Sequence, residues 1–320
     1  MVGAVLVHND QVIGEGYHQF FGGAHAEVNC FESVTEVNKP FISQSTLYVS
    51  LEPCAHYGKT PPCADRIVLE KVKRVVIACR DPFAKVNGQG IEKLKTAGIP
   101  VFEDVLRDEA VELNKAFFNF HLNKRPYIYL KWAMSNDGFI AGQDFQQIAI
   151  SNEISNRYTH QLRATVEAIM IGTNTAIHDR PSLTTRLWPG KNPTRIIIDK
   201  NLKVPMDACV FNDEAPVVVI NYLKDAVLGN QRFVKVSPEE DVVPFILHWL
   251  YTNGINSLLV EGGATLLQSF IDNKLWDEII TIENTALRLH RGIVAPVFTG
   301  GTTLSNIHFR TDTISIYKND

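Results

Sequence analysis

Three side chains in the first part of the chain have the chemistry of a metal site. His25 opens a helix-like run, Cys54 follows Pro53 after the next strand-like run, and eight residues separate Cys54 from Cys63. One neutral imidazole and two thiolates supply three of the four ligands of a tetrahedral zinc, and a fourth position left to water marks a catalytic site. Zinc lowers the pKa of such a water toward ~7, which provides hydroxide at neutral pH. Glu27 lies two residues after His25, pointing away from it on a regular helix. It is therefore read as the catalytic acid/base, passing a proton from the water to a leaving group. The alternative is a closed structural site with His56 as fourth ligand, which leaves Glu27 and Pro53 without a role. Cys30 and Cys79 lack ligand-like spacing and read as small buried hydrophobes.

A second constellation is Leu258-Leu259-Val260-Glu261-Gly262-Gly263-Ala264-Thr265. A strand runs into two glycines and then a helix, whose first amides are free to meet a phosphate. A tight turn with no ligand is the other explanation of this motif alone. No G-x-G-x-x-G follows a strand, so a Rossmann dinucleotide site is not supported.

The elements that must carry these residues alternate between strand-like and helix-like runs, the pattern of an α/β protein. Val2–Val7 and Val12–Gly16, separated by His8-Asn9-Asp10-Gln11, read as a hairpin. Helices are expected over His25–Val37, Cys63–Lys71 and Gly90–Ala97, and strands over Thr46–Leu51 and Arg74–Ala78. One long amphipathic helix is expected over Asp108–Asn123. Lys124-Arg125-Pro126 interrupts it, because proline disfavours helix in the residue before it, and the domain boundary is placed there: 1–123 and 124–320. Strands at Tyr127–Ala133, Ala168–Gly172, Thr194–Asp199, Val217–Ile220, Ser257–Val260 and Glu278–Ile282, with helices at Glu153–Arg163, Val243–Asn253 and Ala264–Asn273, make up the second part. At 320 residues the chain is long enough for two such domains. Its 31 Lys and Arg against 35 Asp and Glu give a net charge of −4, which argues against a nucleic-acid partner. Apolar runs such as Val217–Ile220 are far shorter than the ~20 residues of a membrane helix, and no basic-apolar leader opens the chain, so a cytoplasmic protein without a membrane partner is expected. Five cysteines are too sparse for a disulfide framework.

His25-x-Glu27 with Pro53-Cys54 and Cys63 matches the zinc nucleobase deaminase signature, with the cysteine spacing expanded. The expanded run from Leu51 to Cys63, the opening Val2-Gly3-Ala4-Val5-Leu6-Val7, Gly14-Glu15-Gly16-Tyr17-His18 and Arg80-Asp81-Pro82 resemble the bifunctional riboflavin-biosynthesis deaminase/reductase family. The resemblance covers nearly the whole chain. It implies a cytidine-deaminase-like domain acting on a phosphoribosylated diaminopyrimidine, then a dihydrofolate-reductase-like domain that reduces the ribose with NADPH. His56 and Lys59, between the zinc cysteines, are an imidazole and a cation suited to a substrate phosphate. The family has a further helix ahead of the first strand, and Met1-Val2-Gly3 resembles the continuation of that segment, so Met1 is expected to be an internal methionine.

The resemblance also implies the reductase contacts. Gly263, Ala264, Thr265, Leu266, Leu267, Gln268 and Ser269 would lie along NADPH, with Glu261 facing substrate. Asp179-Arg180-Pro181-Ser182-Leu183-Thr184-Thr185-Arg186 resembles the family's D-x-P-x-L-T-x-R, which assigns Asp179 to cofactor and Leu183 and Arg186 to substrate. Arg163 matches a second substrate arginine, Thr175 a cofactor contact, and Ala133 a position beside the cofactor. Two arginines suit a phosphoribosyl group, because guanidinium grips phosphate in a bidentate fork. Ala149 stands where the family commonly has a cofactor-contacting tryptophan, and losing an indole weakens packing by ~1 kcal/mol. The competing expectation is therefore a deaminase whose second domain is only structural. The sequence does not set the oligomeric state, and a homo-oligomer is compatible with it.

Overall fold

The computed structural model describes every residue except 21, 58–60, 84–85, 144–147 and 320. It divides into two compact units, Met1–Leu122 and Asn123–Asp320.

The first unit runs β1 (Gly3–His8), β2 (Gln11–Tyr17), α1 (Ala26–Glu32), β3 (Thr46–Val49), α2 (Cys63–Glu70), β4 (Arg74–Ile77), α3 (Gln89–Thr96), β5 (Val101–Phe102), α4 (Arg107–Leu113) and α5 (Lys115–Asn123). Its described residues form a five-stranded sheet in the order β2-β1-β3-β4-β5. Asn9 and Asp10 both take positive φ, 45° and 62°, the turn a two-residue hairpin needs. β1 pairs antiparallel with β2 and β3, whereas β3, β4 and β5 are parallel. Leu6, Leu47, Val75 and Ile77 of the sheet close on Cys30 of α1, Ile67 of α2, and Ile91 and Leu94 of α3. α1 is shorter than the expected 25–37 helix, and His25 stands at its N-cap, outside the helix proper.

The expected 108–123 helix is two helices. Asn114 leaves helical geometry at φ −117° and ψ 23°. Its buried side chain turns back on the preceding helix, Nδ2 donating to Ala110 O at 3.5 Å, and this local bond competes with helix continuation.

The second unit runs β6 (Tyr127–Ser135), β7 (Phe139–Ala141), α6 (Glu153–Thr165), β8 (Ala168–Gly172), α7 (Thr173–His178), β9 (Thr194–Ile198), β10 (Val217–Asn221), β11 (Ala226–Leu228), β12 (Gln231–Lys235), α8 (Val242–Thr252), β13 (Ser257–Val260), α9 (Ala264–Asp272), β14 (Glu278–Asn284), β15 (Ile293–Val294), β16 (Thr302–Phe309) and β17 (Asp312–Lys318). Among the described residues a ten-stranded sheet has the order β11-β12-β10-β9-β8-β13-β6-β14-β17-β16. It is parallel from β12 to β14, and its central strands are buried on both faces. That two-sided burial is why they read as unbroken apolar runs rather than alternations. One face packs Ile196, Val218 and Leu258 with α8 and α9, and the other packs Ile197, Val219 and Leu259 with Leu183 and Phe211. No helix among the described residues is long and apolar enough to cross a membrane.

Candidate active sites

The first site is assembled where β3 ends and two helices begin. β3 delivers Glu52-Pro53-Cys54, His25 immediately precedes α1, and Cys63 is the first residue of α2. One donor atom from each of His25, Cys54 and Cys63 lies within 4.8 Å of the others. His25 Nδ1 is 3.2 Å from Cys63 Sγ and 3.5 Å from Cys54 Sγ. Those separations are close to the ~3.6 Å edges of a tetrahedron with zinc–sulfur and zinc–nitrogen bonds. The donor set therefore fits zinc. Cys63 N donates to Cys54 Sγ at 3.3 Å. Hydrogen bonding from Cys63 and His25 outweighs burial and lowers the Cys54 thiol to about 4, as a thiolate ligand requires. Cys63 is pushed up by its bond to Cys54 and by burial.

Glu27 is only 3% exposed and sits against this group; burial raises its carboxyl above the usual range, with the Cys54 charge adding to the effect. Because His25 precedes the helix, Glu27 reaches the same site from the first turn of α1 rather than from an opposite helix face. His56 is half-buried, its Nδ1 has no hydrogen-bond partner among the described residues, and its ring lies 6.1 Å from Phe83. Lys59 lies outside the described residues.

Two acidic residues here escaped the sequence reasoning. Glu52 is 3% exposed and accepts from the amides of Asp81 (3.3 Å), Gly88 (2.9 Å), Gly90 (3.0 Å) and Ile91 (3.4 Å). It ties the chain just before Cys54 to the start of α3. A Cβ on Gly90 would meet Pro53 O at 1.9 Å, so only glycine allows that approach. Asp81 is buried, and desolvation raises its carboxyl to about 6. The signal was present as Arg80-Asp81-Pro82, but nothing local in the sequence marks it as buried.

In the second unit a cavity of about 530 Å³ opens beside the Gly262-Gly263 turn. Ala133, Ala149, Thr175, Asp179, Glu261, Gly263, Ala264, Thr265 and Leu267 line it, together with Lys131 and Trp132. A neighbouring cavity of about 730 Å³ shares Thr175 and both glycines and adds Leu266 and Ser269. The turn therefore stands between two cavities. Gly263 has φ +78° and caps α9 without a side-chain bond, and a Cβ on Gly262 would meet Thr175 Cγ2 at 2.8 Å. Free amides at a helix start between two concave spaces fit a dinucleotide phosphate. Gln268 is not brought to either cavity; its amide bonds Asp272, Val297 N and Val297 O.

Glu261 forms a buried charge cluster. It accepts from Arg163 Nε and Nη2, both at 2.7 Å, and Lys131 Nζ lies 3.8 Å away. The fork of Arg163 is thus already engaged, and its Nη1 donates to Thr184 O at 3.2 Å. Arg186 is exposed and donates to Ser182 Oγ at 2.5 Å, while Leu183 is buried in the core on one face of the sheet. Lys131 is a further feature the sequence reasoning passed over, since its partner lies far along the chain.

Comparison with known proteins agrees with both sites. A riboflavin biosynthesis protein RibD of Aquifex aeolicus is 40% identical over 290 residues, which are 87% of this chain and 79% of that protein. The chain belongs to the RibD family. The relative of Bacillus amyloliquefaciens is 39% identical over 311 residues, 94% of this chain and 80% of that protein. The family model for the RibD C-terminal domain matches residues 126–306, and the cytidine and deoxycytidylate deaminase zinc-binding region matches residues 1–79. A solved structure from Thermotoga maritima, described as a diaminohydroxyphosphoribosylaminopyrimidine deaminase and 5-amino-6-(5-phosphoribosylamino)uracil reductase, has a TM-score of 0.91 and 32% identity, covering 100% of this chain and 92% of that one. The chain is accordingly an enzyme of riboflavin biosynthesis with a deaminase and a reductase activity, and His25, Cys54 and Cys63 are its zinc-binding residues. Its α/β fold joins a cytidine-deaminase zinc domain to a dihydrofolate-reductase-like domain.

Proposed function

We propose that residues 1–123 deaminate 2,5-diamino-6-(5-phosphoribosylamino)pyrimidin-4-one hydrolytically, and that residues 124–320 reduce the ribosyl group of the resulting 5-amino-6-(5-phosphoribosylamino)uracil to ribityl with NADPH. The observation that carries this reading is the His25–Cys54–Cys63 cluster with Glu27 buried against it, on the same chain as a glycine turn between two cavities. The paired activities in the description of the Thermotoga relative support the order of the two steps.

Zinc, when bound, supplies a Lewis acid that lowers the pKa of water at the site. Glu27 takes a proton from the attacking water on its carboxylate and delivers it to the departing amine, so water is consumed and ammonia leaves. Burial raises the carboxyl of Glu27, which suits a group that must both accept and return a proton near neutrality. His56, with an unpartnered ring nitrogen, and Lys59 would hold the substrate phosphate.

NADPH, when bound, supplies the hydride. The amides after Gly263 would hold its pyrophosphate, with Thr175 and Asp179 on the facing wall and Ala133 and Ala149 leaving room for the nicotinamide. Glu261 fixes Lys131 at the cavity wall and holds Arg163 behind it, outside the cavity lining. With Arg163 engaged by Glu261, Arg186 is the arginine assigned to the substrate phosphate, while Leu183 lies in the core.

The test is to supply the phosphoribosylated diaminopyrimidine with and without NADPH and identify the products. Deaminated product alone without NADPH, and ribityl product with it, are expected. Deamination with no NADPH oxidation under any condition would leave the second unit structural.

A further inference from the structure

Arg195 is the largest side chain in the molecule with essentially no exposure, and it stands on β9 in the interior of the second unit. Among the described residues its guanidinium hydrogen-bonds no carboxylate, and the charges of Glu214 and Asp213 reach it only from further off. Nη1 donates to Asn212 Oδ1 at 2.6 Å and to Ser182 O at 3.3 Å, while Nη2 donates to Asn212 O at 2.6 Å and to Ala215 O. A cation held only by neutral oxygens in a sheet interior is costly, and an apolar side chain there would commonly be as stable or more so. Stability therefore does not account for Arg195, and what it holds must matter.

It holds the segment that ends in Arg186. Ser182 is tied by Arg195, Thr184 O by Arg163, and Thr185 N and Oγ1 by Asn192 Oδ1, each of the last two at 2.9 Å. Asn192 Nδ2 in turn donates to Glu214 O at 3.1 Å, so both tethers from this segment reach the 212–215 turn. The backbone is strained just before the ties, with Arg180 at φ +42°, and between them, with buried Leu183 at φ +56°. Such conformations persist only where the surroundings enforce them. Ser182 Oγ, fixed by this arrangement, contacts Thr184 Oγ1 at 3.2 Å and accepts from Arg186 Nη1 at 2.5 Å.

We propose that Arg195 is a positioning residue of the reductase: by fixing Ser182 from inside the sheet, it aims the Arg186 guanidinium at the phosphate of the substrate. The proposal rests on the assignment of Arg186 to that phosphate made above. Arg195 touches neither substrate nor cofactor, and its effect is transmitted through one backbone carbonyl and one hydroxyl.

The experiment is steady-state NADPH oxidation by the full chain carrying Arg195→Lys, Ser182→Ala or Arg186→Ala, alone and in pairs. The substrates are the phosphorylated ribosylaminouracil and its dephosphorylated counterpart. Arg186→Ala is expected to raise KM for the phosphorylated substrate roughly ten- to a hundredfold and to leave the dephosphorylated one unchanged. Arg195→Lys should raise KM about tenfold for the phosphorylated substrate only, with kcat within about threefold, and should add less than about twofold in the Arg186→Ala background. Deamination by the same samples should be unaffected and serves as a check on the protein. A KM rise shared by both substrates, or full additivity with Arg186→Ala, overturns the proposal. A silent Arg186→Ala overturns the phosphate assignment beneath it instead. If Arg195→Lys does not fold, the Ser182→Ala and Arg186→Ala cycle decides: non-additivity is expected, and additivity refutes the link through Ser182.

Discussion

Replacing Glu261 with Gln should unbalance the most highly charged interior of the second unit. The side chain is 6% exposed and its two cationic partners are 12% exposed. Burial pushes the Glu261 carboxyl up, and Arg163 and Lys131 outweigh it, so it is held at about 2 against an ordinary 4.5. A depression of that size corresponds to roughly 3 kcal/mol favouring the folded state. Because the folded pKa lies below the unfolded one, this stabilisation is complete above ~4.5 and is lost as pH falls from there through ~2. Glutamine cannot ionise, and it leaves Arg163 and Lys131 facing each other without a counter-charge. Removing one partner of a buried pair costs about 3–5 kcal/mol, in line with the figure from the pKa. For a unit of this size the melting temperature should fall by roughly 10 °C at pH 7. Differential scanning calorimetry of wild type and variant measures it. At pH 4 the difference should shrink by about 1 kcal/mol, because the wild type has begun to lose what the variant never had. A shift under about 2 °C at pH 7, or a gap that does not narrow at pH 4, would refute the charge-cluster argument.

Elemental analysis should find zinc largely gone from Cys54→Ser and Cys63→Ser, since each removes one of the three protein donors grouped among the described residues; full occupancy in both would be incompatible with the site. Glu27→Gln should keep the metal and lose deamination by about 10²-fold or more while still reducing a pre-deaminated substrate, and turnover at the wild-type rate would remove Glu27 from proton transfer. Gly263→Val places a β-branched side chain at φ +78°, its Cβ 3.4 Å from Thr175 Oγ1. Fluorescence titration should show NADPH affinity lost in that variant with deamination intact, and tight NADPH binding would displace the cofactor from the glycine turn.

Much of this architecture is legible in the sequence because its signals are local. Asn9-Asp10 between two apolar runs gives the first hairpin, and the buried parallel strands announce themselves as runs such as Val217–Ile220 and Leu258–Val260. The metal ligands are legible for the same reason: each sits at the start or end of a short, clearly bounded element. What stays hidden depends on distant partners. Asn114 breaks a helix that its own neighbours would continue, and nothing local in the sequence marks its side chain as buried. Arg163 carries the pattern of a substrate arginine, yet its fork closes on Glu261, which lies 98 positions further along. The β16–β17 hairpin escapes notice because Arg310, at φ +55°, takes a turn position usually filled by glycine or asparagine. Glu52 and Arg195 look like ordinary surface charges until the backbone groups they serve are brought to them.

The clasp made by Glu52 has a bearing on the order in which the first unit is built. All three zinc donors have been synthesised by residue 63, whereas the amides that satisfy Glu52 come from residues 81, 88, 90 and 91. A chain that has paired β3 and begun α2, but lacks α3, must either leave this carboxylate in water or bury it unsatisfied at high cost. The loop bearing Cys54 therefore has its full set of native hydrogen bonds only after the chain as far as Ile91 has closed on it. A nascent or stalled chain ending before α3 would hold every ligand for zinc and still lack the frame that spaces them.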